Sequence, residues 1–496
     1  MQLSEIEESA ALGGASPDTS APLVERLPLG RKVAYSAGQL VELIIGGTLN
    51  IFVLFYTTAV CGLPAGLAGL ALGAGLVIDA ILDPLIGSLS DGWRSRFGRR
   101  VPFMVAGLVP LVLTFNLIFA LPSTWSHTAL FMWLTVLSVS LRVSLSIFSL
   151  PYQALSAELS SDYSERSSIA VWRWGIGIMG TVAVIALGYG VFLAGPSGLS
   201  RREGYLSLTL TLTVLIVIGA LAAIYTGLAT RHLQRETAAP THAIHRRLLG
   251  EMVEMLRNRT FCILFGASLL LHITQGVNQA LSLHVGVFFW ELDSEQMQTL
   301  MMAAVLGLAM GAPLVGPLSM RVEKRTMLIV GITGLMICYS VPAGLRLLGL
   351  LPFTGTALIA FLTAGSFILG LMFALSAIAF ISIIPDAADE HEHQFGTRRE
   401  GLYFAGWSFA TKAAHGAGLL IAGLVLHLIR FPENVSESTA AAAAMIPEQT
   451  VAWLGFAGGP GAGLIALFAI ALALFYRVDR KRHAEIIADL VARRGA

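Results

Sequence analysis

The sequence is poor in charge. Of its 496 residues, 13% are Asp, Glu, Lys or Arg, which is about half the share found in soluble globular proteins. Hydrophobic residues make up 55%, and the mean hydropathy is +0.74. The few charges are clustered between long apolar runs. This pattern excludes an ordinary soluble domain and predicts an all-α polytopic membrane protein embedded in the lipid bilayer.

Cysteine is also scarce. Cys61, Cys262 and Cys338 are far apart and lie in or near apolar segments, so we expect neither a disulfide nor a cysteine metal site. The sequence contains no P-loop, nucleophile elbow or zinc-protease motif. An ATP-driven pump and an intramembrane hydrolase therefore have little support. We expect no enzyme activity, no cofactor and no nucleic-acid partner.

Twelve apolar runs are long enough to cross a bilayer, whose core takes about 20 residues of helix. They lie at 36–60, 66–90, 101–121, 127–155, 168–195, 205–229, 260–290, 297–319, 327–347, 354–384, 402–430 and 453–476. Lys and Arg collect in the tails and in alternate loops, whereas the opposite loops carry Arg201, Arg202, Arg346 and Arg430. By the positive-inside rule both termini are cytoplasmic, and we expect the chain in the cell membrane.

A charged stretch between the sixth and seventh spans divides the chain. The predicted units are a disordered cytoplasmic tail at 1–30, a six-helix bundle at 31–229, a cytoplasmic central loop with an amphipathic helix at 230–259, a second bundle at 260–476 and a cytoplasmic tail at 477–496. The halves show a faint repeat. GSLSDGWRSRFGRR after the second span corresponds to GPLSMRVEKR after the eighth, and FSLPYQALSAELSSDYSER after the fourth corresponds to SIIPDAADEHEHQFGTRRE after the tenth. Parallel six-helix repeats are a transporter architecture.

Two carboxylates lie inside the second span. Asp79 and Asp83 are four residues apart and therefore share one helix face. Each costs about 2.5–3.5 kcal/mol at the bilayer centre, and two so close cannot both stay ionised cheaply without a cation between them or a proton on one. The pair predicts a Na+ site or a proton-carrying pair. A structural pair bonded to Ser or backbone groups is the alternative.

Three further charges lie within spans: Glu42 in the first, Arg173 in the fifth and Lys412 in the eleventh. Buried charges of both signs usually face a common polar cavity. Trp174 follows Arg173, and Trp407 precedes Lys412 by about one turn. Aromatic faces beside charged groups suit a sugar-sized polar ligand, which makes these residues candidates for substrate binding. A pure salt-bridge role is the alternative.

Other polar residues in the spans have a less evident role. Arg142, in the fourth span, can serve as a counter-ion for Asp79 or Asp83 and would then compete with a sodium site. The histidines are scattered singly and are expected to be satisfied within their helices: His272, His284, His415 and His427.

The charged segments at the cytoplasmic ends of the spans are predicted to anchor helix ends and to gate the cavity. The candidate gating residues are Asp91, Arg99, Arg100, Glu158, Arg166, Asp386 and Arg399.

Three motifs resemble a known family. They are DAILDPLIGSLSDGWRSRFGRRVPF, SLPYQALSAELSSDYSERSSI, and PDAADEHEHQFGTRREG followed by Lys412. Past residue 30 the whole chain resembles the glycoside–pentoside–hexuronide:cation symporters, the melibiose-permease-like branch of the major facilitator superfamily. The resemblance implies twelve transmembrane helices in two pseudo-symmetric six-helix bundles. It also implies a monomeric secondary active symporter that couples uptake of a glycoside, pentoside or hexuronide to H+ or Na+ by alternating access.

The resemblance implies roles for individual residues. The family's cation-binding acid pair matches Asp79 and Asp83. Its sugar-binding carboxylate and arginine match Glu42 and Arg173, and the lysine that holds the charge network of its cavity matches Lys412.

The fourth span departs from the family pattern. The acid that links sugar and cation in melibiose permease falls on Ser149, the threonine that binds the cation falls on Ser146, and the tryptophan that stacks on the sugar falls on Gln153. The loss of this acid and the presence of Arg142 weaken the case for Na+ and leave proton coupling open. Related lysolipid transporters share the acid pair, so a cation-coupled carrier of a lysolipid or another amphipath is the alternative function.

Overall fold

The structure, a computed structural model, describes residues 27–231, 256–396, 400–432 and 446–495, apart from 123, 161, 196 and 477. This described part of the chain is helical and contains no β-strand. Eleven helical segments within it are long and apolar enough to cross a membrane. The second span is a further long helix, Ala65–Gly92, whose apolar part is Ala65–Leu76. The predicted multi-pass helical membrane fold is confirmed.

The spans correspond closely to the predicted runs, although the first begins earlier, at Leu29. The helices of the first half are Leu29–Ser36, Gln39–Thr48, Ala65–Gly92, Val101–Ile118, His127–Leu159, Tyr163–Leu187 and Arg202–Ala229. Those of the second half are Arg259–His284, Ser294–Arg321, Lys324–Leu347, Gly355–Phe395, Glu400–Leu428, Glu448–Phe456 and Ala462–Leu474. A terminal helix, Arg480–Gly495, follows. The tail at 1–26 and the central-loop segment at 232–255, where an amphipathic helix is predicted, lie outside the described residues.

Short polar side chains fix the starts of several spans. The Asp162 carboxylate accepts a hydrogen bond from the backbone N–H of Glu165 at 2.8 Å. Asp293 and Gln296 form a reciprocal capping box at the start of the eighth span. Such caps satisfy backbone donors that the first turn of a helix leaves unpaired.

The two faces of the molecule differ in how tightly the halves meet. We call the face where the first span begins and the twelfth ends the terminal face, and the opposite one the distal face. Near the distal face, Thr58 Oγ1 lies 2.9 Å from His284 Nε2, and the Ser294 hydroxyl donates to the Leu193 carbonyl at 2.5 Å. Each contact joins a span of the first half to one of the second.

Glycine allows a further close approach near the distal face. A Cβ added to Gly69 in the second span would lie 2.9 Å from the Cα of Gly423 in the eleventh. Small residues let membrane helices pack backbone to backbone in this way. The apolar core of the first half therefore continues into the distal ends of the seventh and eleventh spans, through residues such as Leu283 and Leu426, whereas a separate apolar core lies wholly within the second half.

Deeper in the membrane, Lys412 of the second half pairs with Asp79 and Asp83 of the first half. Gln153, in the half of the fourth span nearer the terminal face, has an exposed side chain. The contacts named here therefore join the halves near the distal face and in the middle of the membrane, and Gln153 is exposed toward the terminal face.

Candidate substrate and cation site

The acid pair of the second span lies where the two halves meet. Asp79 is 5% exposed and accepts a hydrogen bond from the Ser146 hydroxyl of the fourth span. Lys412 of the eleventh span places its ammonium 3.3 Å from Asp79 Oδ2 and also donates to Asp83 Oδ2. The other Asp83 oxygen, Oδ1, is buried and has no hydrogen-bond partner among the described residues. Ser149, three residues after Ser146, is also buried. Among the described residues it forms no hydrogen bond with either carboxylate.

The position of Lys412 therefore differs from the one that the sequence predicted, in which Lys412 binds the substrate together with Glu42 and Arg173. Its ammonium is the counter-ion of the acid pair. Arg142, which the sequence suggested for this role, is within electrostatic range of Asp79 but forms no ion pair with it among the described residues. The sequence could not separate the two cations, because each is a single charge in the middle of a span.

A second polar cluster joins the first, fourth and fifth spans. Arg173 donates to Gln39 Oε1 from Nε at 3.1 Å and from Nη2 at 2.8 Å. The Gln39 amide donates to Glu42 Oε2 at 3.2 Å, and Gln153 donates to the same oxygen at 3.2 Å. The Arg173 guanidinium also lies 5.0 Å from the centre of the Tyr152 ring.

The structure thus brings together Glu42, Arg173 and Gln153, as predicted. It links the opposite charges through Gln39 and forms no direct salt bridge between them in the described part of the chain. Sequence reasoning missed Gln39. The available signal was its position three residues before Glu42, on the same helix face.

Trp174, the aromatic substrate-binding candidate of the fifth span, lies on a face turned away from the second half. A Cβ at Gly190 would touch the Gln298 side chain of the eighth span at 2.9 Å, so the face that carries Gly190 turns toward the second half. Helical periodicity puts Trp172 on that face and Trp174, which is 60% exposed, nearly opposite. Trp172 is therefore better placed than Trp174 to meet a ligand bound between the halves.

Trp407 lies inside the second half. It lines a small apolar pocket together with Ser268 of the seventh span and Phe380 of the tenth. Its indole Nε1 is buried and without a hydrogen-bond partner among the described residues.

The predicted gating residues of the first half pair with one another. Arg100 lies 2.5 Å from Asp91 and 3.1 Å from Glu158, and Arg99 lies 2.5 Å from the same Glu158 oxygen. Arg166 donates to the Ser160 carbonyl at 2.7 Å. The second half has a similar ion pair.

In that second pair, Lys324 lies 2.6 Å from Asp386. A cation after an even-numbered span thus meets an acid at the terminal end of the next even-numbered span in each half. Arg399 lies outside the described residues. The pairs named stay within their own half and so do not close the terminal face.

The fourth span connects the two clusters. Ser146 reaches the acid pair and Gln153 reaches Glu42. Two turns of helix, or roughly 10 Å, separate these side chains on one face. The fourth span therefore contributes a side chain to each cluster and links them along one helix.

A cavity of 890 Å³ lies apart from these residues. It is near the distal face within the second half, lined by residues that include Trp290, Glu291 and Arg346. It contains none of the predicted site residues, and neither the acid pair nor the Gln39 cluster borders it.

An all-helical membrane fold with two joined halves and polar clusters in the middle of the membrane defines a major facilitator transporter, not an enzyme. Comparison with known proteins agrees. Residues 34–480 match the family described as MFS/sugar transport protein, and the chain belongs to this family. The predicted membership of the glycoside–pentoside–hexuronide:cation symporters is confirmed.

Two sugar carriers match over most of their length, whereas a lysolipid symporter matches over about a third. The isoprimeverose transporter of Lactiplantibacillus pentosus is 23% identical over 489 residues, 96% of this chain and 95% of that protein. The glucuronide carrier protein homolog of Escherichia coli is 24% identical over 468 residues, 92% and 94% of the two chains. The sodium-dependent lysophosphatidylcholine symporter 1 of Gallus gallus is 30% identical over 164 residues, 33% of this chain and 31% of that protein.

Solved structures share the fold. The xylose transporter XylE from E. coli, in an inward open conformation, superposes with a TM-score of 0.55 at 14% identity, covering 92% of this chain and 97% of that chain.

Proposed function

We propose that this protein takes up a glycoside or a related pentoside or hexuronide together with protons, by alternating access. The observation that carries the proposal is the bridge from Lys412 to Asp79 and Asp83, which joins the two halves in the middle of the membrane. An ion pair that spans the halves ties the charge state of the acids to the relative position of the halves.

The geometry favours a proton over Na+. A sodium ion needs several oxygen ligands, and the Lys412 ammonium already occupies the space between the carboxylates. A proton needs one oxygen, and the unpartnered Oδ1 of Asp83 offers one. Protonation of Asp83 weakens its pair with Lys412 and so frees the halves to move.

The substrate cluster favours a sugar over a lysolipid. Gln39, Glu42, Gln153 and Arg173 present amide, carboxylate and guanidinium groups in the middle of the membrane. Such groups can form directional hydrogen bonds with sugar hydroxyls, whereas a lipid chain offers them no hydrogen-bonding partner. The relatives named for isoprimeverose and glucuronide transport, which match over most of the chain, support the same choice.

We place the protein in the plasma membrane. Its terminal face is then cytoplasmic, because Lys and Arg collect on that side. We infer that the protein works as a monomer and that this arrangement is its inward-open state. Substrate and proton leave through the open terminal face, and the distal contacts must separate before the next pair can enter. Each ligand raises the affinity of the other by the same factor, as linkage requires.

Uptake into proteoliposomes tests the proposal. Radiolabelled methyl glycosides of xylose, glucose and glucuronic acid are offered with an inward proton gradient or an inward sodium gradient. We expect accumulation of at least one of them with the proton gradient alone. Asp83→Asn should abolish this accumulation yet retain exchange of labelled for unlabelled sugar, because the substrate cluster is intact. Asp489→Asn, in the terminal helix, is the matched control and should accumulate normally.

The other outcomes separate the parts of the proposal. Accumulation that requires sodium would contradict proton coupling but keep sugar symport. Full accumulation by Asp83→Asn would contradict the role of the acid pair. No transport of any glycoside, with protein reconstituted, would contradict sugar transport and direct the same assay to lysolipids.

A further inference from the structure

A histidine of the seventh span, His284, joins the two halves near the distal face. Its side chain is fully buried, and its Nε2 lies 2.9 Å from Thr58 Oγ1 in the first span. The Thr58 hydroxyl donates its own hydrogen to the Leu54 carbonyl at 2.6 Å, so the hydrogen between the two side chains belongs to His284 Nε2. The prediction that His284 is satisfied within its own helix is wrong, because its partner belongs to the other half.

The second ring nitrogen of His284 has no partner. Nδ1 is buried and forms no hydrogen bond among the described residues. Because Nε2 carries the hydrogen, Nδ1 of the neutral ring is a bare acceptor, and it is the atom to which a proton would add.

Three phenylalanines surround the ring of His284. Its centre lies 5.1 Å from the ring centre of Phe55 in the first span, 6.5 Å from that of Phe288 and 5.4 Å from that of Phe431 after the eleventh span. A protonated ring at this place would lose its water without gaining a carboxylate. Removing an ion from water costs several kcal/mol, whereas contact with aromatic rings returns about 0.5–2 kcal/mol. The closed distal face therefore accepts only the neutral ring.

No charged side chain compensates a proton on this ring within the described part of the chain. The ionisable residues at the distal ends of the first, seventh, eleventh and twelfth spans are Tyr56, Cys61, Glu291, His427, Arg430 and Glu448. Among the described residues, none of them forms a hydrogen bond or an ion pair with His284. Glu291 pairs instead with Arg346 at 2.7 Å.

We propose that His284 is a proton-operated latch of the distal face, whose neutral ring holds the halves together and whose protonation from the distal side releases them. When the distal contacts separate, the ring reaches water and titrates as an ordinary histidine, roughly between pH 5 and 8. The open state then binds a proton that the closed state cannot accept, so acid favours the open state. The latch concerns the opening of the distal face and does not depend on the identity of the substrate or of the coupling ion.

The size of the effect follows from the titration of a histidine in water. With an ordinary histidine pKa of about 6.5, the ratio of open to closed molecules rises about 10-fold between about pH 7.5 and about pH 5.5.

Distances between spin labels across the distal face test the latch. Labels are attached at Thr128→Cys in the first half and Glu295→Cys in the second, both exposed at this face, in a background without the three native cysteines. The protein also carries Asp83→Asn, so that titration of this acid does not contribute. We expect the ratio of long to short distances in nanodiscs to rise about 10-fold between about pH 7.5 and about pH 5.5.

Two variants assign the effect to this ring. His284→Gln keeps a donor for Thr58 but does not titrate, so its distance ratio should be the same at both pH values. His427→Gln, at the distal end of the eleventh span and exposed, is the matched control and should keep the rise. Size-exclusion profile and thermal unfolding report whether each variant is folded.

Three results would overturn the inference. The first is a distance ratio that does not rise in acid when His284 is present, a test that needs no substitution of this residue. The second is a rise that persists in folded His284→Gln. The third is a rise that His427→Gln removes as completely as His284→Gln does, since the effect would then not belong to His284.

Discussion

Removing the charge of Lys412 tests the central claim that this residue holds the acid pair and the two halves together. Lys412→Gln keeps a polar side chain of similar length but leaves Asp79 and Asp83 without their cation. We expect loss of stability and of uphill transport, because two close carboxylates then repel each other in a poorly solvated site.

The structure bounds the size of the effect. A unit charge pair at the 3.3 Å separation of Lys412 Nζ and Asp79 Oδ2 interacts by about 5 kcal/mol at an effective dielectric constant of 20. Breaking a buried pair at one partner typically costs about 3–5 kcal/mol. The Lys412 side chain is 33% exposed, and solvent screening at that exposure reduces the expected cost to about 2–3 kcal/mol.

Thermal unfolding of purified variants measures this cost. Lys412→Gln should lower the apparent Tm by several degrees. The double variant Asp83→Asn/Lys412→Gln removes the unpaired charge as well and should recover much of the loss. Lys324→Gln is the matched control, since Lys324 also pairs with an acid, Asp386, but within one half and 39% exposed; we expect at most about 1 kcal/mol there.

Two results would refute the reasoning. One is a Lys412→Gln protein no less stable than Lys324→Gln. The other is a double variant whose destabilisation equals the sum of the single effects, since additivity would mean that Asp83 and Lys412 do not interact.

Two further predictions concern the distal contact and the substrate cluster. Gly423→Val inserts a side chain where the backbones of Gly69 and Gly423 nearly touch, so it should hold the distal face open. The rate at which an impermeant reagent alkylates a cysteine placed at that face should then rise. An unchanged rate would contradict closure at this contact. Gln39→Leu removes the link between Arg173 and Glu42 and should weaken glycoside binding about 10-fold or more. Titration of the purified protein with the glycoside measures this, with Gln296→Leu, at the distal face, as the control variant. Equal affinity in both variants would contradict the role of Gln39.

The helical plan could be predicted from particular features of the sequence. Apolar runs of about 20 residues leave a membrane chain no stable alternative to helices, since every backbone polar group must be paired internally. The spacing of Asp79 and Asp83 placed them on one face, and their depth in the membrane required a compensating charge. Both arguments are local, so the sequence was sufficient for them.

The partner of the acids was not a local matter. Lys412 is more than three hundred positions from Asp83, and sequence reasoning assigned it to the substrate and offered Arg142 as counter-ion. Trp174 was named as a substrate candidate because it follows Arg173, and only the face of the fifth span that meets the eighth distinguishes it from Trp172. Gln39 carries no charge, so its position in the membrane did not point to a need for an ion-pair partner.

By itself, then, the sequence determined that the chain crosses the membrane many times as helices and that charged groups lie within the spans. These follow from hydropathy and from helical periodicity, which act over a few turns. Only the tertiary structure decided which charges pair, that the rings of His272 and His415 lie 5.8 Å apart, and that the halves meet near the distal face. These depend on how separate helices pack, where contact at 3 Å is set by shape and by small residues such as Gly69 and Gly423 and leaves no periodic trace along the chain.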